Sequence, residues 1–83
     1  MASKHPALRR LKLLGEIIRI GKTSVLVKAY SVPRLASKVY DGKGREIGYV
    51  SNVFGPVSSP FVSLKVIEGK DVAEGDAVYI EKA

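Results

Sequence analysis

The sequence predicts an all-β fold, a small closed six-stranded β-barrel, led by a short basic N-terminal arm over residues 1–12. Three observations carry this expectation. Six short apolar runs fit between residues 13 and 82, roughly 12 residues per strand-plus-turn, which is the spacing of sandwiches and barrels. Glycines and prolines stand between the runs, where turns must form. No segment carries convincing helical periodicity, except that Pro6 to Leu14 could form a short terminal turn. A closed barrel is favoured over two open sheets, because a chain of 83 residues has little with which to cover strand edges.

The expected elements follow in order. Leu13–Ile20 leads into the turn signal Gly21-Lys22, and Ser24–Ala29 is rich in β-branched residues, so the two segments form a hairpin. Val39-Tyr40, the tip Asp41-Gly42-Lys43-Gly44 and Glu46–Val50 form a second hairpin, with Asp-Gly expected to supply the positive φ angles. That last strand runs on towards Phe54, where Gly55-Pro56 halts it. The faces are ambiguous around Ser51-Asn52, where a bulge would flip them. Phe61–Val66 alternates cleanly, with Val62, Leu64 and Val66 on one face and Ser63 and Lys65 on the other. Glu74-Gly75-Asp76 turns into a last strand, Ala77–Ile80. Residues 13–83 are thus expected to form a single domain.

Composition excludes much chemistry. There is no cysteine, which removes disulfides, thiolate catalysis and thiolate-bound zinc. The one histidine, His5, lies in the arm, which argues against a histidine metal site or a Ser–His–Asp triad. No run approaches 18 apolar residues and the N-terminus lacks the apolar centre of a signal peptide, so an intracellular module is expected. The absence of glutamine, with one asparagine and one methionine, is a slight hint of a thermophilic source. The net charge is +6, and residues 1–14 contribute Lys4, Arg9, Arg10 and Lys12 with no acid. Such an arm attracts phosphate backbones whatever the base sequence, or simply keeps a small protein in solution.

Apparent catalytic motifs fail on spacing. Gly21-Lys22-Thr23-Ser24 imitates the end of a phosphate-binding loop, but the required earlier glycine is Glu16 and a strand follows instead of a helix. Asp71, Glu74 and Asp76 lack calcium-loop spacing, and Lys65 has no nucleophilic or acidic neighbour in sequence. No enzyme, cofactor, metal or small-molecule substrate is expected. What stands out is the apolar stretch Val53–Phe61, with two phenylalanines and two prolines where a loop is ordinarily polar. It is either a rigid plug for the barrel end or a preorganised patch for a protein partner.

Residues Gly48–Val57, with Pro60-Phe61-Val62-Ser63-Leu64-Lys65, closely resemble the signature of the glycine/arginine-rich-type small subunit of H/ACA ribonucleoproteins. Val32-Pro33, Lys38–Asp41 and Gly75–Ile80 agree in order, so the likeness covers about residues 13–82. The resemblance implies a barrel like the β-barrel domains of translation factors. It also implies a non-catalytic subunit of the RNA-guided pseudouridylation particle that modifies rRNA. Such a subunit docks on the catalytic domain of the pseudouridine synthase, away from guide RNA, and promotes substrate loading and product release. Carried onto this chain, the docking surface is Phe54, Gly55, Pro56, Val57, Pro60 and Phe61, extended by Val32, Pro33 and Leu35. Guide RNA would be met only indirectly or through Lys4, Arg9, Arg10 and Lys12. The absence of Arg-Gly-Gly tails and of a basic extension beyond Ala83 implies an archaeal-type, cytoplasmic member, preferred over the related assembly factor that shares the barrel. The alternative is a small basic barrel that binds RNA directly, stacking bases on Tyr30 or Tyr49 with Lys22, Lys28 and Lys43 nearby.

Overall fold

A computed structural model describes residues 10–67 and 71–82. The six strands are β1 (Leu11–Ile20), β2 (Val25–Ala29), β3 (Lys38–Tyr40), β4 (Glu46–Phe54), β5 (Phe61–Val66) and β6 (Ala77–Glu81). They close into an antiparallel barrel in the order β1-β2-β5-β4-β3-β6, with β6 paired back to β1, and the described residues contain no helix. The expected all-β six-stranded barrel is the fold observed.

Alternation explains why these segments are strands. Inward positions such as Leu14, Ile17, Val27, Val39, Val62 and Leu64 are almost completely buried and form one core, while their neighbours face out. Four register shifts interrupt the ladders: in β1 against β6 and against β2, and in β4 against β3 and against β5. Such irregularities add local twist, which a sheet of short strands needs in order to close. Gly48 marks a close crossing. A Cβ there would collide with the carbonyl oxygen of Lys65 on β5, so only glycine lets the two backbones approach this far.

The first hairpin is as expected: Gly21 N–H donates to Ser24 O at 2.8 Å, and β2 follows as a strand, which disposes of the phosphate-loop imitation. Two details differ from the sequence expectation. β1 begins at Leu11 instead of Leu13, because Leu11 and Lys12 pair with Glu81 and Ile80; Lys12 therefore belongs to the barrel and not to an arm. In the second hairpin the positive φ lies at Gly44 (80°), not at Gly42. Asp41 takes over the turn: its Oδ1 accepts from the backbone N–H groups of Lys43 and Arg45, both at 2.9 Å. Its Oδ2 accepts from Arg45 Nε at 2.9 Å. Burial alone would raise this carboxyl's pKa, but those two backbone donors and the Arg45 guanidinium hold it below its ordinary value.

The seam between β3 and β6 is short, pairing only Val39 with Ile80 and Tyr40 with Tyr79. It is reinforced by the Tyr40 hydroxyl, which donates to Glu81 Oε2 at 3.0 Å. Burial first, then the hydrogen bond and charge of Glu81 and the charge of Glu46, push the Tyr40 phenol up to about 12.

Candidate functional site

The β4–β5 turn is built by three local features. The register shift between Val50 and Asn52 leaves Ser51 unpaired in the ladder, and its Oγ donates to Ser63 O at 2.9 Å. Beyond that point the faces exchange: Val53 packs on the core and Phe54 points out, 46% exposed. The ambiguity left open at Ser51-Asn52 is thus resolved in favour of a bulge, and it makes Phe54 the outward aromatic. Gly55 then turns the chain at φ 91°, a conformation that side-chain-bearing residues rarely adopt. Ser59 N–H donates to Pro56 O at 3.2 Å, closing a compact turn with Val57 at its tip, 81% exposed.

Phe61 lies opposite Phe54 across the strand pair, and the rings stack with centroids 5.8 Å apart at 27°. Phe61 is half-buried beneath its partner. Pro60 is different: its ring is fully buried and its carbonyl accepts from Ala29 N–H at 2.9 Å. Pro33 is buried too. The docking surface expected from the sequence includes both prolines, with Pro60 also holding the loop; their burial in the free chain fits that holding role and leaves Phe54, Val57, Val32 and Leu35 as the exposed members.

The loop joining β2 to β3 emerges at the same end of the barrel as the β4–β5 turn, as the antiparallel order requires. It is tied along β4 by Ala36 N–H to Val50 O (2.7 Å) and Val50 N–H to Ser37 O (2.9 Å). Leu35, 64% exposed, stands beside this tie. Val32 instead borders a cleft shared with Lys12, Arg34, Lys38, Glu81 and Lys82. This barrel end therefore carries exposed Phe54, Val57, Leu35 and Val32 on loops held by backbone hydrogen bonds.

Of the basic residues expected to meet RNA, Arg10 and Lys12 are exposed, and Lys4 and Arg9 lie outside the described residues. Tyr30 and Tyr49 are both exposed. The lysines flanking Tyr49, however, are Lys38 on β3 and Lys65 on β5, its direct cross-strand partners. Lys22 and Lys43 sit in hairpin turns at the opposite end of the barrel from Tyr30. Sequence reasoning missed Lys38 and Lys65 because only the ladder register brings them beside Tyr49. Among the described residues no group of three or more His, Cys, Asp or Glu side chains is placed to hold a metal ion.

Comparison with known proteins agrees with this architecture. The structure of the Gar1 domain of Naf1 superposes with a TM-score of 0.72 at 22% identity, covering 87% of this chain and 84% of that one, a likeness of fold. An uncharacterized protein of Methanothermobacter thermautotrophicus is 30% identical over 56 residues, 66% of this chain and 61% of that protein. The chain thus matches about three-fifths of that relative's length. The family model described as the Gar1/Naf1 RNA binding region matches residues 11–83, from the first residue of β1 to the end of the sequence. On that match, which spans the whole barrel, the chain belongs to the Gar1/Naf1 family.

Proposed function

We propose that this chain is a non-catalytic subunit of the H/ACA RNA-guided pseudouridylation particle, working in the cytoplasm of an archaeal-type cell. It docks on the catalytic domain of the pseudouridine synthase and promotes substrate loading and product release during rRNA modification. The synthase supplies the catalytic aspartate, and this chain supplies surface. The observation that carries the reading is the exposed pair Phe54 and Val57 on a turn fixed by Gly55, Pro56 and buried Pro60. A turn already ordered in the free protein loses little entropy on docking, and exposed apolar side chains recover their burial energy only against a partner. Membership of the Gar1/Naf1 family supports the choice of particle.

Calorimetric titration into the purified synthase, at about 0.15 M salt to screen weak surface charge, tests the reading. Burying a valine is worth about 1.5–3 kcal/mol, so Val57→Asp should weaken binding at least about tenfold. At 81% exposure the substitution should leave thermal unfolding nearly unchanged. Pro56→Glu, also on the exposed turn, should behave alike. A folded Val57→Asp variant that binds the synthase as tightly as the parent would refute the docking surface.

A further inference from the structure

The outer wall of the barrel has two different sides. Ladder register sets Lys38, Tyr49 and Lys65 in one row across β3, β4 and β5, all exposed. Neighbouring strands lie about 4.8 Å apart, so the two lysines flank the tyrosine about 10 Å from one another. A further row on the same wall runs Phe54, Phe61, Lys28. No strand carboxylate pairs with Lys38, Tyr49 or Lys65: Glu46 pairs with Tyr40 and Glu81 with Leu11, while Glu16 continues the second row beyond Lys28. Among the described residues neither Lys38 nor Lys65 has a salt-bridge partner.

A second feature adjoins the row. Lys38 also lines the cleft at the barrel end, with Lys12, Arg34 and Lys82. The one acid in that lining, Glu81, accepts the Tyr40 hydroxyl hydrogen bond. Four cations thus border a concave site, and one of them leads directly onto an exposed aromatic ring with a lysine on its other side.

From this arrangement we infer that the cleft and the Lys38–Tyr49–Lys65 row form one track for single-stranded RNA. Phosphates bind Lys12, Arg34, Lys82, Lys38 and Lys65, and a base stacks on Tyr49. Cations spaced along a track suit a phosphate backbone, and an aromatic face between them suits an unpaired base. An acidic peptide would use the cations but leave the ring idle. The inference does not rest on the docking reading, because it concerns the isolated full chain and other residues.

The test is fluorescence anisotropy of a fluorescein-labelled 15-nucleotide single-stranded RNA titrated with the full chain across a salt series. Single-strand binding loses about 0.7 in the log–log salt slope for each phosphate contact removed. The double variant Lys38→Gln/Lys65→Gln should therefore bind more weakly with a slope shallower by about 1.4. Tyr49→Leu should weaken binding at least about fivefold with the slope unchanged, since it removes stacking and no charge. The double variant Lys22→Gln/Lys43→Gln, at the opposite barrel end, should keep the parent slope. Thermal unfolding should be unaltered in all three, as every replaced side chain is exposed. The inference fails if the Lys38/Lys65 variant keeps the parent slope, or if deleting residues 1–9 alone abolishes binding. It also fails if Tyr49→Leu binds RNA as well as the parent while a fluorescein-labelled oligoglutamate of equal charge binds equally tightly; the track would then belong to an acidic protein segment.

Discussion

Replacing Tyr40 by phenylalanine isolates the short β3–β6 seam. The phenol is 7% exposed and donates to Glu81 Oε2 at 3.0 Å. Its pKa stands at about 12 in the folded chain against an ordinary 10. A raised pKa in a group that is neutral when protonated means the fold holds the proton more tightly than the unfolded chain does. The associated stability is therefore complete below pH 10 and is lost as pH rises from 10 to about 12. Two units at about 1.4 kcal/mol each make this loss roughly 2–3 kcal/mol. At pH 8, Tyr40→Phe should cost only about 1 kcal/mol, because the exposed Glu81 carboxylate returns to water when its donor is removed. Urea unfolding of both proteins from pH 8 to 12 gives the answer. Lysines titrate in the same range, but they do so in both proteins and cancel in the difference. The parent should be the more stable by about 1 kcal/mol at pH 8 and the less stable by roughly 1–2 kcal/mol at pH 12. Curves that stay parallel throughout would show that the Tyr40–Glu81 contact does not hold the seam.

Three further substitutions test the barrel itself. Gly48→Ala should cost at least about 2 kcal/mol in urea unfolding, because its Cβ would force β4 away from the Lys65 carbonyl; Gly42→Ala, whose Cβ meets nothing within 4 Å, should stay within about 0.5 kcal/mol of the parent. Asp41→Asn should remove the acid sensitivity associated with that carboxyl: its lowered pKa gives stability that is present above 3.8 and lost as pH falls below it. Thermal melts at pH 7 and pH 2.5 should show a smaller shift in the variant, and an equal shift would assign the acid loss to other groups.

The strands were legible because short apolar runs and glycine punctuation are local signals. Val62, Leu64 and Val66 could be assigned to one face from alternation alone, and they turn inward as expected. Lys12 looked like part of a basic arm because its charge masks its pairing with Ile80, which only the position of β6 reveals. Gly42 and Gly44 are chemically alike, and the Asp41 carboxylate's bonds to Lys43 and Arg45 accompany the choice of the second for positive φ. Pro33 and Pro60 occur in loops, so they read as surface, yet both are buried. The apolar character of the Phe54–Val57 turn was plain from composition. The company of Tyr49 was not, because cross-strand neighbours are set by register, and register lies in the ladder as a whole.

The bulge at Ser51 has a consequence for how this protein can vary. Tyr49 and Phe54 both face solvent although five positions separate them, an odd interval that an unbroken strand cannot give to two residues on one side. The length of β4 and the presence of its bulge are therefore tied to one another. Deleting Ser51 would remove the bulge and leave simple alternation, with Tyr49, Asn52 and Phe54 still outward and Val50 and Val53 still inward. Pairing Ser51 regularly with every residue kept would instead drive the Phe54 ring into the space shaped for Val53 and expel the valine. The two aromatic side chains share a face either at the present interval of five with the bulge or at an interval of four without it.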